Sequence, residues 1–341
     1  MIPYRTRSLL LKIGTALLVI FLIPGVLLLC WMLWLNRYVI YTRQGAVLDF
    51  SLSGDFPPGQ VISPKPEGEG VDIYYNEGEN AITPGGAELK KLSGIQITEQ
   101  MLSENFAQVE QMLSVLPADV PVMLDVKNFR GEFFYSSALG KSTKAIDPQK
   151  MDALLSQLRQ TNRYLIARLP AFRDYWFGLE NVDYGIFNPN RLSLWMDEER
   201  CYWLNPASQG TMTYLIQIVT ELRSLGFDEV VFTDFCVPNT QNIYFEGDRL
   251  ETINKTAVTL VKACETDSFA VSFLYEMQGF QLPQGRCRLY LENVAAADAA
   301  QTAEELALEN PQAKLVFLTE LKDTRFDAFG VLRPGDVETS A

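Results

Sequence analysis

The sequence predicts an α/β barrel, and three observations predict it. Apolar runs rich in Val, Ile, Leu and Phe read as strands buried on both faces, as in a parallel sheet clad with helices. These runs alternate with helical patterns at the spacing of βα units. No Gly-x-Gly-x-x-Gly follows the first run, which argues against a dinucleotide-binding sheet. About seven strands can be counted, so an eight-stranded (β/α)8 TIM-like barrel with one irregular strand fits better than an open sheet.

In chain order, residues 1–12 carry Arg5, Arg7 and Lys12 with no acid, and residues 13–35 contain no charge. The second segment is long enough to cross a bilayer, and Trp31 and Trp34 stand at one end as interfacial anchors. The basic residues ahead of it predict a cytoplasmic N-terminus and an extracytoplasmic remainder, a bias weakened by Arg37 and Arg43 on the far side. A cleaved signal peptide would have a shorter apolar core and a small-x-small site, so the span reads as a retained signal anchor. Cys30 reads as a cysteine within that helix, because the small residues of a lipoprotein cleavage site are missing before it. Residues 36–44 read as a linker, 45–335 as the barrel and 336–341 as a tail.

Removing the four basic residues of the first 37, a segment without acids, from the net charge of −13 leaves −17 on the other 304 residues. Such a domain repels phosphate backbones, so nucleic acid is excluded as a partner and neutral or cationic polymers remain. The chain has no histidine. Ser-His-Asp and Cys-His catalysis and histidine-ligated zinc are therefore excluded, leaving carboxylates, Lys, Tyr, Cys and Ser for proton transfer. Cys201, Cys236, Cys264 and Cys287 are dispersed without C-x-x-C spacing, which predicts no thiolate metal site and leaves disulfides or free thiols open. No cofactor is expected; the acid content leaves calcium open, although no loop has an EF-hand pattern.

Within the outer domain, Gly45 to Phe50 suits a first strand, and the Pro/Gly-rich residues 51–96 read as a long excursion above it. From Thr98 to Leu116 the apolar positions have helical spacing, closed by Pro117. The strand Val122 to Lys127 follows. Asp147-Pro148 supplies an N-cap and a first-turn proline for a helix to about Gln160. A strand Tyr164 to Leu169 comes next, and Asn205-Pro206 starts a helix that Gly226 stops. The remaining units are a strand Val230 to Asp234, a helix 250–264, strands 269–274 and 288–291, a helix 297–308 and a strand 315–319.

Carboxylates at strand exits are the chemical candidates, since barrels of this kind place chemistry at the carboxyl ends of their strands. They are Asp49, Asp125, Asp234, Glu276 and Glu320, with Glu292 a further candidate. Arg168 at a strand end could bind a hydroxyl or depress a neighbouring carboxylate's pKa, or form a structural salt bridge. The aromatic groups Phe133-Phe134-Tyr135, Tyr175-Trp176-Phe177, Trp195 and Tyr202-Trp203 could stack on sugar rings or fill core. Asp197-Glu198-Glu199 reads as a solvated loop.

Several segments resemble the putative glycosyl hydrolase domain family of bacterial extracytoplasmic TIM barrels, distantly similar to α-amylase-like barrels. Met123-Leu-Asp-Val-Lys-Asn128 with Gly131 and Tyr135 is similar to the family's Asp-x-Lys-Asp strand end. Ile166-Ala-Arg-Leu169 with Phe172-Arg-Asp174, Trp203-Leu-Asn-Pro206 and Gly226-Phe-Asp-Glu229 continue the likeness over roughly residues 97–240. The departures are Asn128 for a usual Asp, and Phe232-Thr-Asp-Phe-Cys-Val-Pro238 for Phe-Asp-Tyr-x-Arg-Phe-Pro. With Pro238 as anchor, Thr233 takes the aspartate's place and Cys236 the arginine's. The resemblance implies a membrane-anchored glycoside hydrolase acting on an envelope or environmental polysaccharide. Asp234 is then the nucleophile, Glu276 the acid, Asp125 a residue that orients substrate or stabilises charge, and Lys127, Arg168, Tyr135, Trp176 and Trp203 substrate contacts. The alternative is a catalytically inactive barrel that binds glycans or proteins at the cell surface.

Overall fold

The structure is a computed structural model that describes residues 88–335 and, as backbone, 39–42 and 45–48. The chain divides into two units, 1–79 and 80–341. The first contributes one described feature, an antiparallel hairpin in which Val39 pairs with Leu48 and Thr42 with Gly45. The expected span 13–35, residues 51–87 of the excursion and the tail 336–341 lie outside the described residues. Among the described residues no helix is long and apolar enough to cross a membrane.

The second unit is a closed barrel of eight parallel strands that neighbour one another in sequence order. They are β1 (Ser93–Ile97), β2 (Val122–Asp125), β3 (Leu165–Pro170), β4 (Glu229–Thr233), β5 (Ala270–Leu274), β6 (Leu289–Glu292), β7 (Leu315–Leu318) and β8 (Gly330–Pro334). The helices packed between and around them are α1 (Glu99–Glu104), α2 (Phe106–Val115), α3 (Pro148–Gln160), α4 (Tyr175–Glu180), α5 (Gln209–Leu225), α6 (Arg249–Cys264), α7 (Ala299–Leu306) and α8 (Pro311–Lys314). The expected α/β barrel is present.

Three sequence expectations need correction. The run at Gly45 is not the first barrel strand, because its residues 45–48 belong to the hairpin. The first and last strands are instead β1 and β8, which pair with each other, Leu332 opposite Gly94. Each carries a glycine that interrupts the apolar run by which a buried strand is recognised. A Cβ on Gly94 would stand 2.3 Å from the Pro121 carbonyl oxygen, and one on Gly330 2.9 Å from that of Leu315. Close backbone approach fixes glycine there and breaks the apolar pattern. Finally, the helix expected over 98–116 is two helices, broken at Asn105 (φ −135°, ψ 37°).

Of the other local signals, one acts as expected and one is displaced. Asp147 accepts a hydrogen bond from the Gln149 N–H ahead of α3, with Pro148 in its first turn. Asn205-Pro206 forms a turn rather than a first helical turn, so α5 starts at Gln209 and ends at Gly226 in the left-handed region (φ +96°).

Strand alternation sorts the barrel interior into three layers. The middle is apolar: Met123, Ile166, Val231, Leu274, Tyr290, Val316 and Leu332 form a cluster separate from the core between barrel and helices. Residues two positions earlier on the same faces, Glu229, Ser272 and Arg288, make a polar floor. There the buried Glu229 pairs with Arg288 and accepts hydrogen bonds from Tyr164 Oη (2.9 Å), Ser272 Oγ (2.5 Å) and Tyr290 Oη (2.9 Å). Arg288 also donates to the carbonyls of Ala313 and Lys90, both at 2.9 Å. Each charge is thus satisfied, the condition under which a buried ion pair is tolerated. Residues two positions later, Asp125, Arg168, Thr233, Glu276 and Glu292, rim the opposite end.

Candidate active site at the carboxyl end of the barrel

Arg168 is the common neighbour of this rim. Its Nη1 lies 3.2 Å from Asp125 Oδ1 and its Nη2 2.7 Å from Glu292 Oε1. Asp125 faces Arg168 across the β2–β3 register, and its Oδ2 accepts the Glu99 N–H at the start of α1 (2.9 Å). The positive charge of Arg168 also reaches Asp234 and Glu276. Of the three predicted catalytic carboxylates, Asp125 at the end of β2 contacts this arginine on β3, and Asp234 and Glu276, just past β4 and β5, lie within reach of its charge.

The end of β4 answers the question raised by the sequence. Thr233 faces inward, in phase with Glu229 and Val231, and is buried. Asp234 follows in the left-handed region, φ +48°. Aspartate is among the residues that tolerate this conformation. The turn aims the Phe235 N–H at Glu276 Oε2 (2.8 Å), and the Asp234 N–H adds to the same contact. Residues just past β3 follow this turn: the Ala171 N–H donates to the Thr233 carbonyl (2.7 Å) and the Phe172 N–H to that of Asp234 (3.4 Å).

The two carboxyls differ electrostatically. Glu276 is an exposed residue by surface area, although protein atoms pack closely around its carboxyl. Burial, reinforced by the charge of Asp234, pushes its carboxyl up to about 7 against the backbone N–H bonds. Burial also raises Asp234, opposed by the charges of Arg173, Lys127 and Arg168. A carboxyl raised this far is partly protonated near neutrality.

Several expected substrate contacts are structural. Lys127 and Asp174 form an ion pair of 2.8 Å with both side chains fully inaccessible, so Lys127 cannot touch a substrate. Asp174 also accepts from Tyr214 Oη (2.9 Å) and caps α4 through the Phe177 N–H (2.8 Å). A Cβ on Gly131 (φ +78°) would stand 1.9 Å from Asp174 Oδ1, which explains that glycine. Tyr135 is fully buried and donates to Glu221 Oε2 on α5 (2.9 Å). Trp203 is 8% exposed and donates from Nε1 to Asp197 Oδ2 (3.0 Å), leaving little ring for a ligand. Trp176 is half-buried at the rim.

Asp197 is not simply solvated. It accepts from Arg173 Nε (2.7 Å), Trp203 Nε1 and the Cys201 N–H (2.8 Å), and holds its charged form below the usual carboxylate range through those contacts despite partial burial. Arg173 in turn lies over Phe129 at 4.4 Å. Glu292, a further strand-end candidate by sequence, lies against Arg168, whereas an arginine inside a loop such as Arg173 carries no spacing signal. Cys201, Cys236, Cys264 and Cys287 are free thiols, and burial pushes each up to about 12. Asp49 lies outside the described residues, and Glu320 is exposed.

A closed parallel barrel whose strand ends converge on carboxylates and an arginine is the architecture of the barrel glycosidases. The model of the putative glycosyl hydrolase domain matches residues 94–264, half of the chain, and the chain belongs to that family. No curated protein matches the chain. Among solved structures, it is similar to a hypothetical protein from Ruminiclostridium thermocellum ATCC 27405, with 21% identity, 53% of this chain and 96% of that one covered, and a TM-score of 0.45. It is also similar to a GH20 exo β-N-acetylglucosaminidase from Vibrio harveyi, with 8% identity, 74% of this chain covered and a TM-score of 0.51. The match spans about half of the Vibrio enzyme's length, 51%. That likeness concerns the fold.

Proposed function

We propose that this protein is a glycoside hydrolase, tethered to the cell membrane by residues 13–35, that cleaves an envelope or environmental polysaccharide outside the cytoplasm. The observation that carries the reading is the pairing of Glu276 with Asp234: a carboxyl raised to about 7 against the turn that bears a second acid. Protonated Glu276 gives its proton to the glycosidic oxygen as the bond from that oxygen to the anomeric carbon breaks. Ionised Asp234 forms a bond to the same carbon, and water then releases the sugar, with Glu276 taking the water's proton. Arg168, fixed by Asp125 and Glu292, sets the charge around the pair. Asp125 is thereby a positioning residue.

The test is incubation of the protein and its Asp234→Asn and Glu276→Gln forms with a panel of glycans. Product from the parent and at least about a hundredfold less from each variant is the expected result, the usual scale for loss of an acid or base. Equal product from all three discards the assignment. A second reading, an inactive glycan-binding barrel, is favoured by Thr233 at the inward end of β4 and by the engagement of Asp125 with Arg168. It predicts that all three forms bind the same glycan without cleaving it.

A further inference from the structure

Beyond the reacting pair, a polar track leads away from Asp125 over the loops that follow β2 and β3. The Glu99 N–H donates to Asp125, and Asn128 Nδ2 bridges Glu99 Oε1 (3.3 Å) and Glu132 Oε2 (3.2 Å). Glu132 Oε1 then accepts the indole N–H of Trp176 (3.4 Å), fixing the ring at the rim. Next to it, Tyr175 meets Trp176 edge-on at 5.0 Å and stacks on Tyr202 at 5.3 Å with an 11° tilt. Carboxylates and an amide thus lead to aromatic rings, the two kinds of surface that sugar chains use: polar groups for their hydroxyls and a flat apolar face for their C–H side.

One occupant already lies on that face. Lys141 Nζ stands 3.3 Å from the Trp176 ring centroid and 3.4 Å from Glu180 Oε1. Both charged side chains are largely exposed, so the pair is screened and held weakly. An ammonium over an indole occupies the place of a stacked ring and can leave at small cost.

We propose that Trp176 is a distal subsite for a polysaccharide chain and that Lys141 covers it until a sugar ring displaces the ammonium. The substrate class is a polymer of neutral or amino-bearing sugars, since Glu99, Asp125 and Glu132 along the track repel uronate and phosphate polymers. The substrate class rests on the hydrolase reading, whereas the subsite stands on its own binding measurement.

The experiment uses the full chain in detergent, with calorimetric titration on a Glu276→Gln background and turnover on the parent. The probes are cellohexaose, chitohexaose and a chitosan hexamer, their dimers, and a hexamer of galacturonate. The expected result is a hexamer affinity about tenfold weaker in Trp176→Ala, equivalent to about 1.4 kcal/mol, with a smaller loss for the dimer, tighter hexamer binding in Lys141→Ala, and no binding of galacturonate. Unaltered melting temperatures certify that both variants fold. Equal hexamer affinity in Trp176→Ala, weaker affinity in Lys141→Ala, or binding of none of the neutral and amino-bearing hexamers overturns the proposal. Hexamer binding that depends on Trp176 without turnover in the parent supports the subsite and removes the hydrolase reading. Turnover that is indifferent to Trp176 and to chain length does the reverse.

Discussion

At the residue scale, two fully buried ion pairs hold the framework behind the site. Glu229 and Arg288 close the barrel floor, and Lys127 and Asp174 lock the loops after β2 and β3. Removing one partner leaves the other charge buried and unpaired, which costs about 3–5 kcal/mol. Arg288→Met and Asp174→Asn are each expected to lower unfolding free energy by that amount, read as a shift of the urea midpoint with unchanged slope. Asn128 gives a subtler prediction. Its amide donates to Glu99 and Glu132, while its Oδ1 accepts the N–H groups of Arg130 and Glu132, both at 3.1 Å. Burial already raises Glu99, against the pull of the Asn128 hydrogen bond. Asn128→Asp, which restores the residue the family resemblance expects, removes two donors and adds a carboxylate beside three others. A loss of about 1–3 kcal/mol at pH 7.5 is expected, relieved as the pH falls and the cluster takes up protons. Thermal unfolding at pH 7.5 and pH 5 measures it.

At the element scale, the sequence carried the strands that are apolar and hid those that are not. β2, β3, β4, β5, β6 and β7 lie close to their expected positions because burial on both faces forces an apolar run. β1 and β8 pair with each other, but Gly94 closes against Pro121 ahead of β2 and Gly330 against Leu315 on β7, and the mixed composition of the two strands resembles a loop. The close approach at Gly94 makes a prediction: Gly94→Ala drives a methyl group into the Pro121 carbonyl. It is expected to destabilise the barrel by about 1–3 kcal/mol, as overpacking does, measured as a lowered urea midpoint. The carboxylates at the strand ends were legible where they close or follow an apolar strand, as at Asp125, Asp234 and Glu276. The site was not legible where burial decides. Lys127, Tyr135 and Trp203 belong to the segments that carry the family likeness, yet they brace loops through Asp174, Glu221 and Asp197 instead of facing a ligand. A motif records that a residue is needed, and only the fold distinguishes bracing from contact.

At the scale of the whole molecule, the barrel separates stability from chemistry along its axis. The floor is a saturated buried network, the middle layer is apolar, and the opposite rim holds carboxyls whose proton affinities differ. The basic start of the chain and the uncharged residues 13–35 motivate the proposed tether. Cell fractionation with external protease is expected to leave the full chain in the membrane fraction and degrade residues after the span; protection from external protease contradicts that orientation.

The pH dependence of kcat/KM on a glycan that the protein cleaves tests the central claim most directly. Glu276 must be protonated, so activity falls as pH rises through about 7. Asp234 must be ionised, so activity also falls on the acid side, at a pH above the ordinary aspartate range because burial raises that carboxyl. The account predicts a bell whose basic limb disappears, along with nearly all activity, in Glu276→Gln. A profile flat from pH 5 to 9, or a basic limb that survives in Glu276→Gln at parental rate, contradicts it.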